Sequence, residues 1–112
     1  MKFYELELEG ETLKFRLTSN DCMVIEKFSG KSILEYVQNM SMTMVITMLR
    51  YMRRSSVDNF SEKDAQQLFD KFVDNGYTIA RIVNEVILEG LVVSGFMSKE
   101  ELTGAKDTAE QQ

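Results

Sequence analysis

The sequence predicts an α+β fold, mostly α-helical: an N-terminal antiparallel β-hairpin, four to five helices and a disordered C-terminal tail. Three observations lead there. Residues 3–18, FYELELEGETLKFRLT, alternate apolar and polar with a period of two. Beyond Thr18 apolar residues recur at helical spacing to about residue 97. From Ser98 the chain turns polar, with Leu102 its one large apolar residue. Residues 1–97 are therefore expected to form a single domain and 98–112 a flexible tail.

In the hairpin, Tyr4, Leu6 and Leu8 share a face with Leu13, Phe15 and Leu17, while Glu5, Glu7, Lys14 and Arg16 share the other. A two-residue loop at Gly10-Glu11 fits a type II′ turn, which needs positive φ at its first central residue. That loop pairs Leu8 with Leu13, Leu6 with Phe15, Tyr4 with Leu17, Glu7 with Lys14 and Glu5 with Arg16. Exposed cross-strand ion pairs contribute only ~0.2–1 kcal/mol each, but they disfavour a slip that would invert the faces. A lone hairpin is marginal in water, so this one needs helices or a neighbour's strand against it.

Ser19 or Asn20 can cap a helix running to about Phe28 and ending near Gly30. Ser32 caps a helix over 32–39, and the Met-rich segment continues it with a bend near Ser41. Ser55–Asn59 reads as a loop. Ser61-Glu-Lys-Asp64 resembles a capping box ahead of an amphipathic helix that buries Ala65, Leu68, Phe69, Phe72 and Val73. Asn75-Gly76 ends it. A last helix over 78–93 buries Ile79, Ile82, Val83, Val86, Ile87 and Leu91, with Gly90 and Gly95 bracketing its end. The tail sets two lysines (Lys99, Lys106) against four acids (Glu100, Glu101, Asp107, Glu110) and has too little apolar surface to offset ordering entropy.

With 112 residues, 44% of them apolar and 28% charged, the composition is that of a globular domain. A net charge of −5 with no basic stripe removes the electrostatic drive for binding nucleic acid or anionic lipid. MKFYELELEG lacks the apolar run of a signal peptide, and no segment is long enough to span a membrane. One cysteine allows no internal disulfide, so a cytoplasmic setting is expected. Histidine and proline are both absent, which removes the commonest general base and metal ligand as well as any proline-rich docking segment.

Candidate chemistry is sparse. Cys22, in the first turn of a helix, could favour a thiolate, but Asp21 beside it opposes ionisation and a buried apolar thiol explains it as well. Asp70–Gly76 invites a calcium-loop reading and fails it, because Phe72 falls where an oxygen donor belongs. No catalytic, cofactor-binding or metal-binding residue is expected, and no cofactor.

Five of the eight methionines lie in NMSMTMVITMLRYMRR, residues 39–54. On a helical wheel Thr43, Thr47, Arg50 and Arg54 form one polar strip, and apolar residues cover more than half the circumference. Two readings stand: core filling, or an adaptable surface for self-association or a client, since methionine packs loosely against irregular partners. On the second reading Met40, Met44, Met48, Tyr51 and Met52 bind the partner with Arg50 and Arg54. The cluster Arg50, Arg53 and Arg54 is either a solvated helix end matched to the macrodipole or a grip on an acidic partner.

FYELELEGETLKFRLT, the helix MTMVITMLRYMRR and the helices EKDAQQLFDKFVDNG and YTIARIVNEVILEGLVVSGF, followed by an acidic polar end, together resemble the tail assembly chaperones of long-tailed bacteriophages and prophages, particularly those of Gram-positive hosts. The likeness covers the layout of residues 1–97 and rests on no diagnostic motif. It implies a non-enzymatic role: binding and solubilising the tape measure protein, promoting assembly of the tail tube protein, and oligomerising around the client. It also implies action in the host cytoplasm without retention in the mature virion. The hairpin, with its turn at Gly10 and its edge residues Glu5, Glu7, Lys14 and Arg16, is the expected route to the homo-oligomer. Two alternatives are a virion structural protein, such as a head–tail connector or tail-completion ring, and a small regulatory adaptor.

Overall fold

The computed structural model describes residues 2–102; residues 103–112, most of the expected tail, lie outside the described residues. Strands β1 (Tyr4–Leu8) and β2 (Glu11–Phe15) form the expected antiparallel hairpin. Its turn, however, is Glu9-Gly10, with φ of 53° and 80°. Two positive φ values in a two-residue loop are the type I′ pattern, not the type II′ turn at Gly10-Glu11. Leu8 therefore faces Glu11, Leu6 faces Leu13 and Tyr4 faces Phe15, while Glu5 faces Lys14 and Glu7 faces Thr12. The faces survive because the partners move by two residues. The residues after Phe15 are engaged elsewhere: the Arg16 amide donates to Met52 O (2.9 Å) and the Leu17 amide to Ser94 Oγ (3.0 Å).

Helix α1 (Ser19–Ser29) is capped by Thr18, not by Ser19 or Asn20. Thr18 is the residue of that trio with an acid three positions on, so the Asp21 carboxylate accepts from the Thr18 amide (3.0 Å) and Thr18 Oγ1 accepts from the Asp21 amide (3.1 Å). Gly30, at φ 74°, ends the helix. Ser32 caps α2 (Ile33–Gln38). The Met-rich segment is a separate helix, α3 (Met42–Arg54), begun afresh by Ser41, whose hydroxyl accepts from the Met44 amide (3.3 Å). Ser61 and Asp64 make the expected capping box on α4 (Glu62–Asp74).

The last long helix is continuous over 79–94 but not uniform. An α-helical turn, α5 (Ile79–Ile82), leads into a π-helical stretch (Val83–Leu88) and then α6 (Glu89–Ser94). Within the π stretch the Glu85 carbonyl accepts from the Tyr4 hydroxyl at 2.7 Å. Gly90 does not end the helix. It lies inside α6 against α3, where an added Cβ would sit 2.0 Å from Met52 Cε. The chain reverses at Gly95, and Ser98 and Glu101 then make a reciprocal capping box (3.2 and 3.1 Å) on a helical turn over 99–102. Leu102 is buried in the core, so the packed domain runs past the expected boundary at residue 97.

One apolar cluster joins every element, with Phe15, Leu17, Tyr36, Met48, Leu49, Met52, Phe72 and Ile87 among its fully covered side chains. Each such burial contributes roughly 1.5–3 kcal/mol. Two residues expected inside, Val73 and Ile79, are instead about half exposed near the ends of their helices. No helix among the described residues is long and apolar enough to cross a membrane.

Candidate functional site

The expected partner-binding methionines divide between core and rim. Met48 and Met52 are fully buried, so they are core residues and not a surface open to a partner. Met40 and Met44 are half-buried and pack on that core, as does Tyr51. Tyr51 carries the guanidinium groups of Arg50 (5.7 Å) and Arg54 (5.3 Å) over its ring. The apolar arc of α3 is wide because the helix is central: hairpin, α4 and the π stretch all pack on it. Arg53, which shared a cluster with Arg50 and Arg54 in the sequence, is buried. Its Nη1 donates to Lys14 O (3.0 Å) and Ser56 Oγ (3.3 Å), and burial pulls its pKa below the ordinary arginine value.

What α3 leaves open is its polar strip. Thr43, Thr47 and Arg50, spaced four and three residues apart, form the floor of a groove between α1 and α4. Two hollows of about 390 and 200 Å³, the first between α3 and α4 and the second between α1 and α3, adjoin at Thr43 and Glu62, which line both, and together form a channel. Its α1 wall is apolar, whereas α4 contributes Glu62, Gln66 and Asp70 beside Phe69. Phe28 (78% exposed) and Val24 project from α1, and Met42 (47% exposed) stands at the start of α3. Phe28, Val24 and Met42 were not among the residues expected to bind a partner. A signal existed: α1 buries only Cys22 and Ile25, so Met23, Val24 and Phe28 exceed what its packed face needs.

The channel is also polar along its length. Asp70 lines the hollow at the Met42 end, Glu62 lies between, and Arg50 lines the other end. Among the described residues none of these three charges is in a salt bridge, and Arg50 Nε is covered without a hydrogen-bond partner.

The hairpin edges are unequal. On β2 the Lys14 carbonyl accepts from Arg53 and from Ser56 Oγ (3.0 Å), the Arg16 carbonyl accepts from Ser55 Oγ (3.1 Å), and the Arg16 amide reaches Met52. That edge is closed by the end of α3. On β1 the outward backbone groups of Glu5 and Glu7 meet no partner among the described residues. Of the edge side chains, Glu5 and Lys14 sit 3.9 Å apart, Arg16 Nη1 donates to Lys2 O (2.8 Å), and Gly10 lies in the turn beside Glu9 and Glu11, both paired with Lys71 Nζ (3.3 and 3.6 Å).

Cys22 is buried, and its thiol is pushed up to about 11 by desolvation and then by Asp21 and Glu26, so it stays protonated at neutral pH. Asp70–Asp74 is helical, which leaves no calcium loop there. Among the described residues no cluster of three or more His, Cys, Asp or Glu could hold a metal. The chain matches no known protein family, no curated protein and no solved structure.

Proposed function

We propose that this chain is a non-enzymatic tail assembly chaperone of a long-tailed phage or prophage. In this reading it binds and solubilises the tape measure protein in the host cytoplasm, helps tube subunits assemble, and leaves before the virion is complete. The observation that carries the reading is the open channel of α1, α3 and α4, in which the large apolar side chains of Phe28 and Met42 stand exposed. A tape measure protein, long and helical, exposes apolar stripes that such a channel can cover. The open β1 edge supports addition of one subunit to another, and the charge of −5 supports solubility of an abundant coat.

Co-expression with a tape measure fragment tests it. The chaperone reading expects co-purification, a concentration-dependent mass series by light scattering, and absence of the chain from purified particles by mass spectrometry. A single fixed mass together with recovery in the virion would establish a connector or tail-completion ring instead.

A further inference from the structure

We propose that the α1–α3–α4 channel takes about two turns of an amphipathic helix of another protein, seated with its N-terminal end toward Asp70 and its C-terminal end toward Arg50. The inference rests on the chaperone reading for the source of that helix. Its geometry comes from the channel alone.

The floor is built from short side chains. Thr43 and Thr47 stand one turn apart, and the Thr47 hydroxyl is already spent on the Thr43 carbonyl (2.8 Å), so the floor asks for little further hydrogen bonding. Low relief at those positions lets a second helix approach closely, and the hollows on either side accept its large side chains. From Thr43 to Arg50 the floor rises about 10 Å, which matches anchors at i, i+4 and i+7. An extended segment would find no free backbone here, because helices form all three walls. A helix brings its own backbone hydrogen bonds and needs none from the channel.

Charge fixes the direction. A helix carries partial positive charge at its N-terminus and negative charge at its C-terminus. Asp70, which lines one hollow only, suits the first, and Arg50, which lines the other only, suits the second. Glu62 lines both and favours neither end, and none of the three is in a salt bridge within the described residues. The reverse orientation would set like against like at both ends. Residues 103–112, TGAKDTAEQQ, contain no large apolar side chain, so that segment supplies no anchor.

The test is an NMR titration of the full-length 15N-labelled chain with two synthetic helices of roughly 15 residues. Both carry leucine at i, i+4 and i+7. One has lysines in its first turn and glutamates in its last, and the other has them exchanged. The lysine-first peptide should shift the amides of Phe28, Thr43, Thr47 and Arg50 and bind at least about fivefold more tightly than its counterpart. Arg50→Glu should shrink or reverse that preference. Thr43→Arg and Phe28→Ala alter exposed side chains, so both should fold as the parent does and both should abolish the shifts. No shift up to about 2 mM of either peptide, shifts located elsewhere, or a preference for the glutamate-first peptide would overturn the proposal. So would a dimer of the chain that Thr43→Arg dissociates in sedimentation velocity, because the occupant would then be a second copy. The chaperone reading fails on a different result, a tape measure fragment that does not co-purify with the parent chain. If the fragment co-purifies equally with Thr43→Arg, the channel is wrong and the chaperone reading survives.

Discussion

Arg53 leaves water with its guanidinium directed at Lys14 O and Ser56 Oγ, between the rings of Phe15 and Phe60, each 5.7 Å away. It bonds the end of α3 to β2 and covers apolar surface with its stem. Replacing it removes a charge-assisted hydrogen bond and packing together, so Arg53→Ala should lower stability by about 2–3 kcal/mol in urea titration. Arg54→Ala, one position on and exposed, should stay within about 0.5 kcal/mol. Cys22 gives a second test. Its thiol holds its proton up to about 11 when folded, against an ordinary value of 9.0. A group whose pKa rises on folding contributes stability that is whole below the unfolded value and is lost as pH climbs through the folded one. Burial moves Tyr4 and Tyr36 in the same direction. Unfolding free energy should therefore be flat near neutrality and fall between pH 9 and 11, with a shallower fall in Cys22→Ala. A hydrophilic disulfide reagent at neutral pH should label Cys22 only as fast as the chain opens.

At the scale of elements, the contact of α6 with α3 depends on one missing methyl group. Gly90→Ala gains helix propensity of about 1 kcal/mol but drives Cβ into Met52, which has no exposed surface to retreat to. A net loss of about 1–2 kcal/mol is expected, and Gly90→Ala with Met52→Val should lose less than the two single changes summed. The hairpin predicts an exchange pattern: the Arg16 amide, bonded to Met52 O, should be protected from hydrogen exchange, and those of Glu5 and Glu7 should not. Most element positions were legible in the sequence, since periodicity and caps act locally. Ser32, Ser61, Gly30 and Gly76 fall where their chemistry placed them. The cap of α1 was legible too, because Thr18 and not Ser19 has the acid at the third following position. The hairpin register was not, because sliding the partners by two residues keeps every face and an acid–base pair. What selected the register is Arg16 and Leu17 bonding to α3 and α6, contacts 36 and 77 residues away along the chain. The channel was hidden for the same reason. Thr43, Thr47 and Arg50 were visible as a polar strip, but only tertiary packing brings Phe28 and Glu62 to its sides.

For the molecule as a whole, a single core cluster that includes residues from the hairpin through Leu102 implies one cooperative unit. Tyrosine fluorescence and far-ultraviolet dichroism should follow the same urea curve. Leu102→Ala should shift that curve by about 2–3 kcal/mol despite its place near the end of the described chain, whereas Glu100→Ala, exposed in the same turn, should barely move it. The π stretch at Val83–Leu88 carries a consequence for descent. A wide turn of this kind is what one inserted residue makes of an α-helix, and taking one residue out would rotate all that follows by about 100°. Gly90 would leave Met52, and Ser94 would leave the Leu17 amide. A lineage with an unbroken helix here could reach this arrangement only through a change in length, and kin lacking the extra residue should align with a gap at 83–88 and have no need of glycine opposite Met52.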